Sequence, residues 1–178
     1  MLLPPTTEQK NKAKEIAAAA GHMEKMKGSK NEKLSDSPVL TGKRILIVDD
    51  SEVSREILLQ LLKNTGAVLD VAASGDEAVR LFARNKYDLV FMDLYMPVMS
   101  GYNATRNIRD LPLLWSNSVP IISVSAENSL ELRMKCKESG IDDQLIKPVS
   151  KRDLYTMVEK WLVTASAPGT EESASGNS

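Results

Sequence analysis

Short apolar runs that end in acidic residues, each followed by a stretch of helical period, constrain this chain more than any other feature of its sequence. Lys43 to Val48 (KRILIV) runs straight into Asp49 and Asp50. A continuous apolar run of that length predicts a strand buried on both faces, not a half-solvated one with alternating character. Val53, Ile57, Leu58, Leu61 and Leu62 then share one helical face, and Gly66 supplies the stop. Val68 to Ala72 predicts a second strand, and Ser74-Gly75-Asp76-Glu77 a capping box that opens a helix turning Ala78, Leu81 and Phe82 inward. Asp88 to Asp93 is the third strand-like run, again ending in an acid.

After the Pro97 loop the pattern predicts a helix from about Gly101 to Arg109, and Pro120 leads into a fourth strand, Ile121 to Val124. A further helix spans roughly Asn128 to Ser139 and ends at Gly140. Gln144 to Lys147 is the fifth strand, stopped by Pro148. Ser150 caps a last helix with Leu154, Met157, Val158, Trp161 and Leu162 on one side. Strands alternating with helices at this spacing predict an α/β fold, a parallel sheet covered on both faces by right-handed crossovers. Reactive groups in such folds gather at the carboxyl ends of the strands.

The flanks have a different character. Residues 1–41 contain a helix-prone piece, Thr7 to Ala20, and a polar linker rich in Lys, Ser, Asn and Gly, in which Gly21-His22-Met23 matches the scar left by tag removal. Residues 164–178 are almost wholly small and polar and predict a disordered tail. One core domain, residues 42–163, lies between them. A formal net charge of -1 gives no basic excess for nucleic acid, and no window approaches the roughly 18 consecutive apolar residues of a membrane span. The single cysteine, Cys136, permits no internal disulfide and reads as a packing residue. A cytoplasmic location follows as the expectation.

The polar residues that close the strands carry the chemistry. Asp49 and Asp50 end the first, Asp93 the third, Ser125 the fourth and Lys147 the fifth, so all five fall on one edge of the sheet. Carboxylates gathered there repel one another, by about 4 kcal/mol for a pair ~4 Å apart at an effective dielectric near 20. A hard divalent cation with oxygen ligands relieves this, and Mg²⁺ suits carboxylates that also keep water and phosphate oxygens. Lys147 offers a compact charge for a phosphoryl oxygen. With its surroundings neutralised, one carboxylate can attack phosphorus and form an acyl phosphate, and Asp93, ending the central strand, is the best placed. Singly, each acid reads better as a helix cap than as a site residue. Jointly, with an amine and a hydroxyl beside them, they read as a site.

In order and spacing, the segments ILIVDDSEVSREIL, YDLVFMDLYMPVMSGYNATRNIR, PIISVSAE and LIKPVS resemble the motifs of response-regulator receiver domains of two-component phosphorelays, from about Lys43 to Leu162. The style is that of receivers attached to hybrid histidine kinases. The resemblance implies a flavodoxin-like (CheY-like) three-layer sandwich with a five-stranded parallel sheet, and a cis Lys147-Pro148 peptide bond. It implies that Asp93 accepts the phosphoryl group and that Asp50, Asp93 and the Tyr95 backbone carbonyl bind Mg²⁺ or Mn²⁺ directly, with Asp49 acting through water. Ser125 matches the switch hydroxyl and Lys147 the phosphoryl-binding lysine. The implied role is that of a signalling receiver, not an enzyme. Its implied partner is a histidine kinase or histidine-phosphotransfer protein, with no nucleic acid, no membrane contact by this segment, and at most a weak homodimer. At the fifth-strand position where most receivers carry an aromatic, this chain has Gln144, which cannot reproduce an aromatic's burial. Tyr95 and Glu127 stand where family members vary the lifetime of the phosphoryl group.

Two other readings compete. An aspartyl phosphatase or phosphotransferase of the haloacid dehalogenase type places a second acid two residues after its nucleophile, where this chain has Tyr95. A flavodoxin-like cofactor binder needs a hydroxyl- and glycine-rich phosphate loop after the first strand, where Asp49-Asp50-Ser51-Glu52 repels a phosphate.

Overall fold

The computed structural model describes residues 38–163, and the amino-terminal arm and carboxy-terminal tail lie outside the described residues. Strands β1 (Arg44–Val48), β2 (Val68–Ala72), β3 (Leu89–Asp93), β4 (Ile121–Ser125) and β5 (Asp143–Ile146) alternate with helices α1 (Glu52–Leu62), α2 (Gly75–Arg84), α3 (Gly101–Arg109), α4 (Leu130–Glu138) and α5 (Lys151–Val158). Beyond α5 the chain widens into a π-helical turn, Glu159–Val163. All strand pairs are parallel, and the order is β2-β1-β3-β4-β5. The chain therefore winds one way from β1 to β2 and the other way from β3 onward. That reversal opens a crevice at the carboxyl ends of β1 and β3, the place where sheets of this order take their ligands.

The period of two along each strand builds two cores. Leu46, Val48, Val90, Met92 and Ile121 meet Ala78, Phe82, Tyr102, Ala104, Ile108, Leu132 and Cys136 from α2, α3 and α4. Ile45, Ile47, Leu89, Phe91, Ile122, Val124 and Leu145 meet Leu58 and Leu62 from α1 with Leu154 and Val158 from α5. Every residue of β3 and β4 is buried, as the unbroken apolar runs require, while Val68 and Val71 of the edge strand β2 stay exposed. Packing begins ahead of β1: Leu40 is buried and its N–H donates to the Thr65 carbonyl at 2.7 Å. Leu40 and, past α5, Leu162 both join the core on the α1 and α5 side.

A serine starts each helix. Ser51, Ser74, Ser100, Ser129 and Ser150 accept at Oγ from the N–H groups of Ser54, Glu77, Asn103, Leu132 and Asp153, satisfying one orphan donor apiece. The capping box at α2 is shifted by one residue, since Glu77 accepts from the N–H of Ala73 at 2.8 Å and not from that of the cap. Gly66 takes a φ of 80°, the left-handed turn that ends the α1 connection.

Strand β5 sits one residue earlier than the apolar pattern predicts. Asp143 pairs with Ile122, and Lys147 falls just past the ladder, ahead of a cis Lys147-Pro148 bond. Helix α4 starts at Leu130 because Ser129 is its cap. The connection from α3 to β4, on which the sequence pattern is silent, is held by Arg109. Its guanidinium donates to the carbonyls of Ser116 (2.6 Å), Val119 (2.8 Å) and Gly140 (3.0 and 2.8 Å) and to Asp142 Oδ2 (2.8 Å). Among the described residues no helix is long and apolar enough to cross a membrane.

Candidate functional site

Asp49 follows β1 directly and is 2% exposed. Its Oδ1 accepts from the N–H of Ser51 at 2.9 Å, its Oδ2 from Lys147 Nζ at 2.7 Å, and its carbonyl from the Arg55 guanidinium at 2.6 Å. Asp93 closes β3 and is 5% exposed. There Oδ1 accepts from Lys147 Nζ at 2.8 Å and Oδ2 from the N–H of Tyr95 at 3.0 Å. Asp50 is exposed at the rim, and each of the three acids brings one carboxylate oxygen within 4.8 Å of the others'.

One ammonium thus bonds two of the three clustered carboxylates. Burial pushes the Asp49 carboxyl above its ordinary range, the bonds from Lys147 pull it back, and the Asp93 charge adds to the rise. Burial alone would lower the Lys147 ammonium, but its bonds to Asp49 and Asp93 outweigh that and hold it above the usual lysine range. Lys147 therefore stays charged, and it is too little to neutralise the crevice. A crowded set of hard oxygen donors with a surplus of negative charge is what a divalent ion such as Mg²⁺ requires, and the residues present suit one.

Gly101 brings α3 hard against this floor. A Cβ there would lie 2.1 Å from the Asp93 carbonyl oxygen, so only glycine lets the helix start where it does. Ser125 ends β4 on the same edge, one strand over, with its Oγ accepting from the N–H of Glu127 at 3.2 Å. The Lys147 N–H donates to the Ser125 carbonyl at 2.9 Å, and among the described residues no hydrogen bond joins the Ser125 hydroxyl to Asp93 or to the Lys147 ammonium. Glu127 is bonded on every side. Its Oε2 accepts from the Tyr95 hydroxyl (3.0 Å), its Oε1 from Ser129 (2.8 Å) and its carbonyl from Gln144 Nε2 (2.9 Å). Tyr95, Glu127 and Gln144 stand out singly in the sequence, but the bonds that join them, and Arg55 and Gly101, do not. Of Arg55 and Gly101, only Gly101, set directly after a capping serine, carries a signal that could have flagged it.

The model of the response regulator receiver domain matches residues 45–159, more than half of the chain and all five strand ends. The chain belongs to this family.

As a receiver domain it is 36% identical over 129 residues to hybrid signal transduction histidine kinase B of Dictyostelium discoideum, covering 67% of this chain and 7% of that one. Sensor histidine kinase RcsC of Escherichia coli is 38% identical over 106 residues, 60% of this chain and 11% of that one. The receiver thus spans about a tenth of the length of such relatives. Among solved structures, the receiver domain of sensor histidine kinase PA1611 from Pseudomonas aeruginosa, with magnesium in its active-site cleft, superposes with a TM-score of 0.62 at 34% identity, covering 68% of this chain and 98% of that one. The Saccharomyces cerevisiae Ssk1 receiver domain, crystallised with the histidine phosphotransfer protein Ypd1, belongs to a match with a TM-score of 0.65 at 29% identity, covering 72% and 94%. The receiver family serves two-component signalling, and this chain shares its CheY-like fold and its acidic cluster.

Proposed function

We propose that this receiver takes a phosphoryl group from a phosphohistidine of a partner protein onto Asp93, and that the new group changes the surface offered to partners. The convergence of Asp49, Asp50, Asp93 and Lys147 at the crevice between β1 and β3 carries the reading. A carboxylate oxygen of Asp93 attacks phosphorus as the P–N bond to the donor imidazole breaks. The imidazole leaves with the electron pair, and Asp93 becomes an acyl phosphate. Lys147, already on Asp93 Oδ1, supplies positive charge to the phosphoryl oxygens as charge develops there. The Tyr95 N–H, on Oδ2, fixes the rotamer of the nucleophile. Asp50, Asp93 and the Tyr95 carbonyl would hold Mg²⁺ or Mn²⁺ directly and Asp49 through water, the ion lowering the repulsion between the carboxylates and the incoming phosphate. Ser125, whose hydroxyl is bonded to neither Asp93 nor the Lys147 ammonium, is the hydroxyl that turns to the new group.

Hybrid histidine kinases among the relatives, and the Ssk1 receiver's crystal with Ypd1, support a histidine kinase or histidine-phosphotransfer protein as donor. A cytoplasmic setting belongs to the same proposal, and a reducing compartment suits the buried free thiol of Cys136. Acetyl phosphate with Mg²⁺ will label the wild type, and Asp93→Asn will stay unlabelled on a phosphate-affinity gel. Equal labelling of both would move the nucleophile elsewhere. Lys147→Ala will keep its Mg²⁺ affinity by calorimetry yet fail to respond to phosphorylation, and a lost affinity would contradict the role given to the lysine.

A further inference from the structure

Arg55 stands at the end of the first turn of α1, where the helix dipole disfavours a cation. Among the described residues it makes no ion pair that would offset this. Its half-buried guanidinium instead donates through Nη1 to the Asp49 carbonyl at 2.6 Å, a charge-assisted bond to backbone. That bond reaches back across the turn that carries the chain from β1 into α1.

The carbonyl so held lies just past the strand. β1 ends at Val48, and the Asp49 N–H bonds the Ala72 carbonyl at 3.2 Å. One peptide plane contains the Asp49 carbonyl and the Asp50 N–H, so holding the carbonyl restrains ψ of Asp49 and φ of Asp50 together. The side chains that flank this plane are two of the three clustered acids. Asp49 is constrained a second time, because Lys147 and the Ser51 N–H bond its carboxylate. The exposed Asp50 carboxylate has no such partner among the described residues, so its place depends on the backbone that carries it.

We propose that Arg55 is a positioning residue for the acidic crevice: by holding the Asp49–Asp50 peptide it sets where the Asp50 carboxylate stands against Asp49 and Asp93, and so raises the affinity for Mg²⁺. The inference rests on the divalent-ion reading of the crevice. Two effects of the side chain oppose each other. A cation close to the crevice repels a second one, so by charge alone Arg55 weakens the binding of Mg²⁺. Ordering an acid before the ion arrives strengthens it. The sign of the change on removing Arg55 therefore separates positioning from charge.

Arg55→Met and Arg55→Gln delete both the charge and the reach of the guanidinium, whereas Arg55→Lys keeps the charge and replaces the planar fork by one rotatable ammonium. Amide NMR titrations of the unphosphorylated full chain with Mg²⁺, at constant ionic strength, are expected to give a dissociation constant about ten-fold higher in the two neutral variants, partly recovered in Arg55→Lys. Without Mg²⁺, the Ser51 N–H, whose acceptor is Asp49 Oδ1, should exchange faster in the neutral variants. A constant unchanged from wild type in them overturns the proposal, and a lower constant overturns it in favour of charge alone. Dispersion of the amide spectrum before titration shows which variants are folded, and Arg55→Gln stands in should Arg55→Met not fold. A wild type whose amides ignore Mg²⁺ defeats the reading of the crevice itself. Variants that match a responsive wild type defeat the role of Arg55 alone, so the two failures are distinguishable.

Discussion

Gly101 owes its identity to a neighbour. With the Asp93 carbonyl 2.1 Å from where a Cβ would stand, Gly101→Ala must push α3 away from the end of β3 or tilt the peptide that carries Asp93. A cost of about 3 kcal/mol in urea unfolding is expected, with slower phosphorylation by acetyl phosphate, since close-packed backbone does not yield as a side chain does. A variant as stable and as fast as wild type would show that α3 does not set the nucleophile. Asp143 gives the residue scale a pH dependence. Burial alone would raise its carboxyl, but the Lys160 ammonium at 2.6 Å, the Gln144 N–H at 2.8 Å and the Trp161 indole at 3.1 Å outweigh this and hold it below the usual aspartate range. A depressed folded-state value means that the stabilisation is present above the unfolded value and lost as pH falls through the folded one. Below about pH 4 the stability of wild type should therefore decline towards that of Asp143→Asn, and parallel pH profiles would refute the assignment. The acids, the amine and the hydroxyl were legible at this scale because each ends a strand or follows one within two residues, and strand ends follow from apolar runs. The bonds around Glu127 were not, because they depend on where two loops and a strand edge meet in space.

At the scale of elements, period and caps carry most of the information. Apolar runs mark β1, β3 and β4 because those strands are buried on both faces, and a serine marks the start of each of α1 to α5 because the orphan N–H groups need an acceptor. β5 is displaced by one residue because Asp143, polar and half-buried, joins the ladder through its backbone, which side-chain pattern does not report. The connection from α3 to β4 has no period at all. Its shape comes from Arg109, whose single guanidinium satisfies three carbonyls and one carboxylate drawn from two separate turns. Arg109→Met, which keeps the stem and deletes the donors, should lower unfolding stability by about 2–4 kcal/mol and speed hydrogen exchange in 110–119. A loss below about 0.5 kcal/mol would mean that the carbonyls find water and the turn holds itself.

For the whole molecule, fold and site are coupled through charge. A cation bound by the native crevice and not by the unfolded chain raises unfolding stability by about 2.7 kcal/mol at one hundred times its dissociation constant. Thermal melts of wild type should move up with added Mg²⁺, and those of Asp93→Asn should move much less. Equal shifts would place the ion elsewhere. The sheet order also fixes where the described chain enters and leaves the domain. Leu40 leads the chain in at the foot of β1, bonded to the turn before β2, while Trp161 and Leu162 lead it out beside Lys43, Asp88 and Pro120 at the start of their strands. Both attachment points thus lie at the pole away from Asp93. Among the described residues, neither the entry to β1 nor the exit from α5 therefore covers the crevice that Asp93 lines.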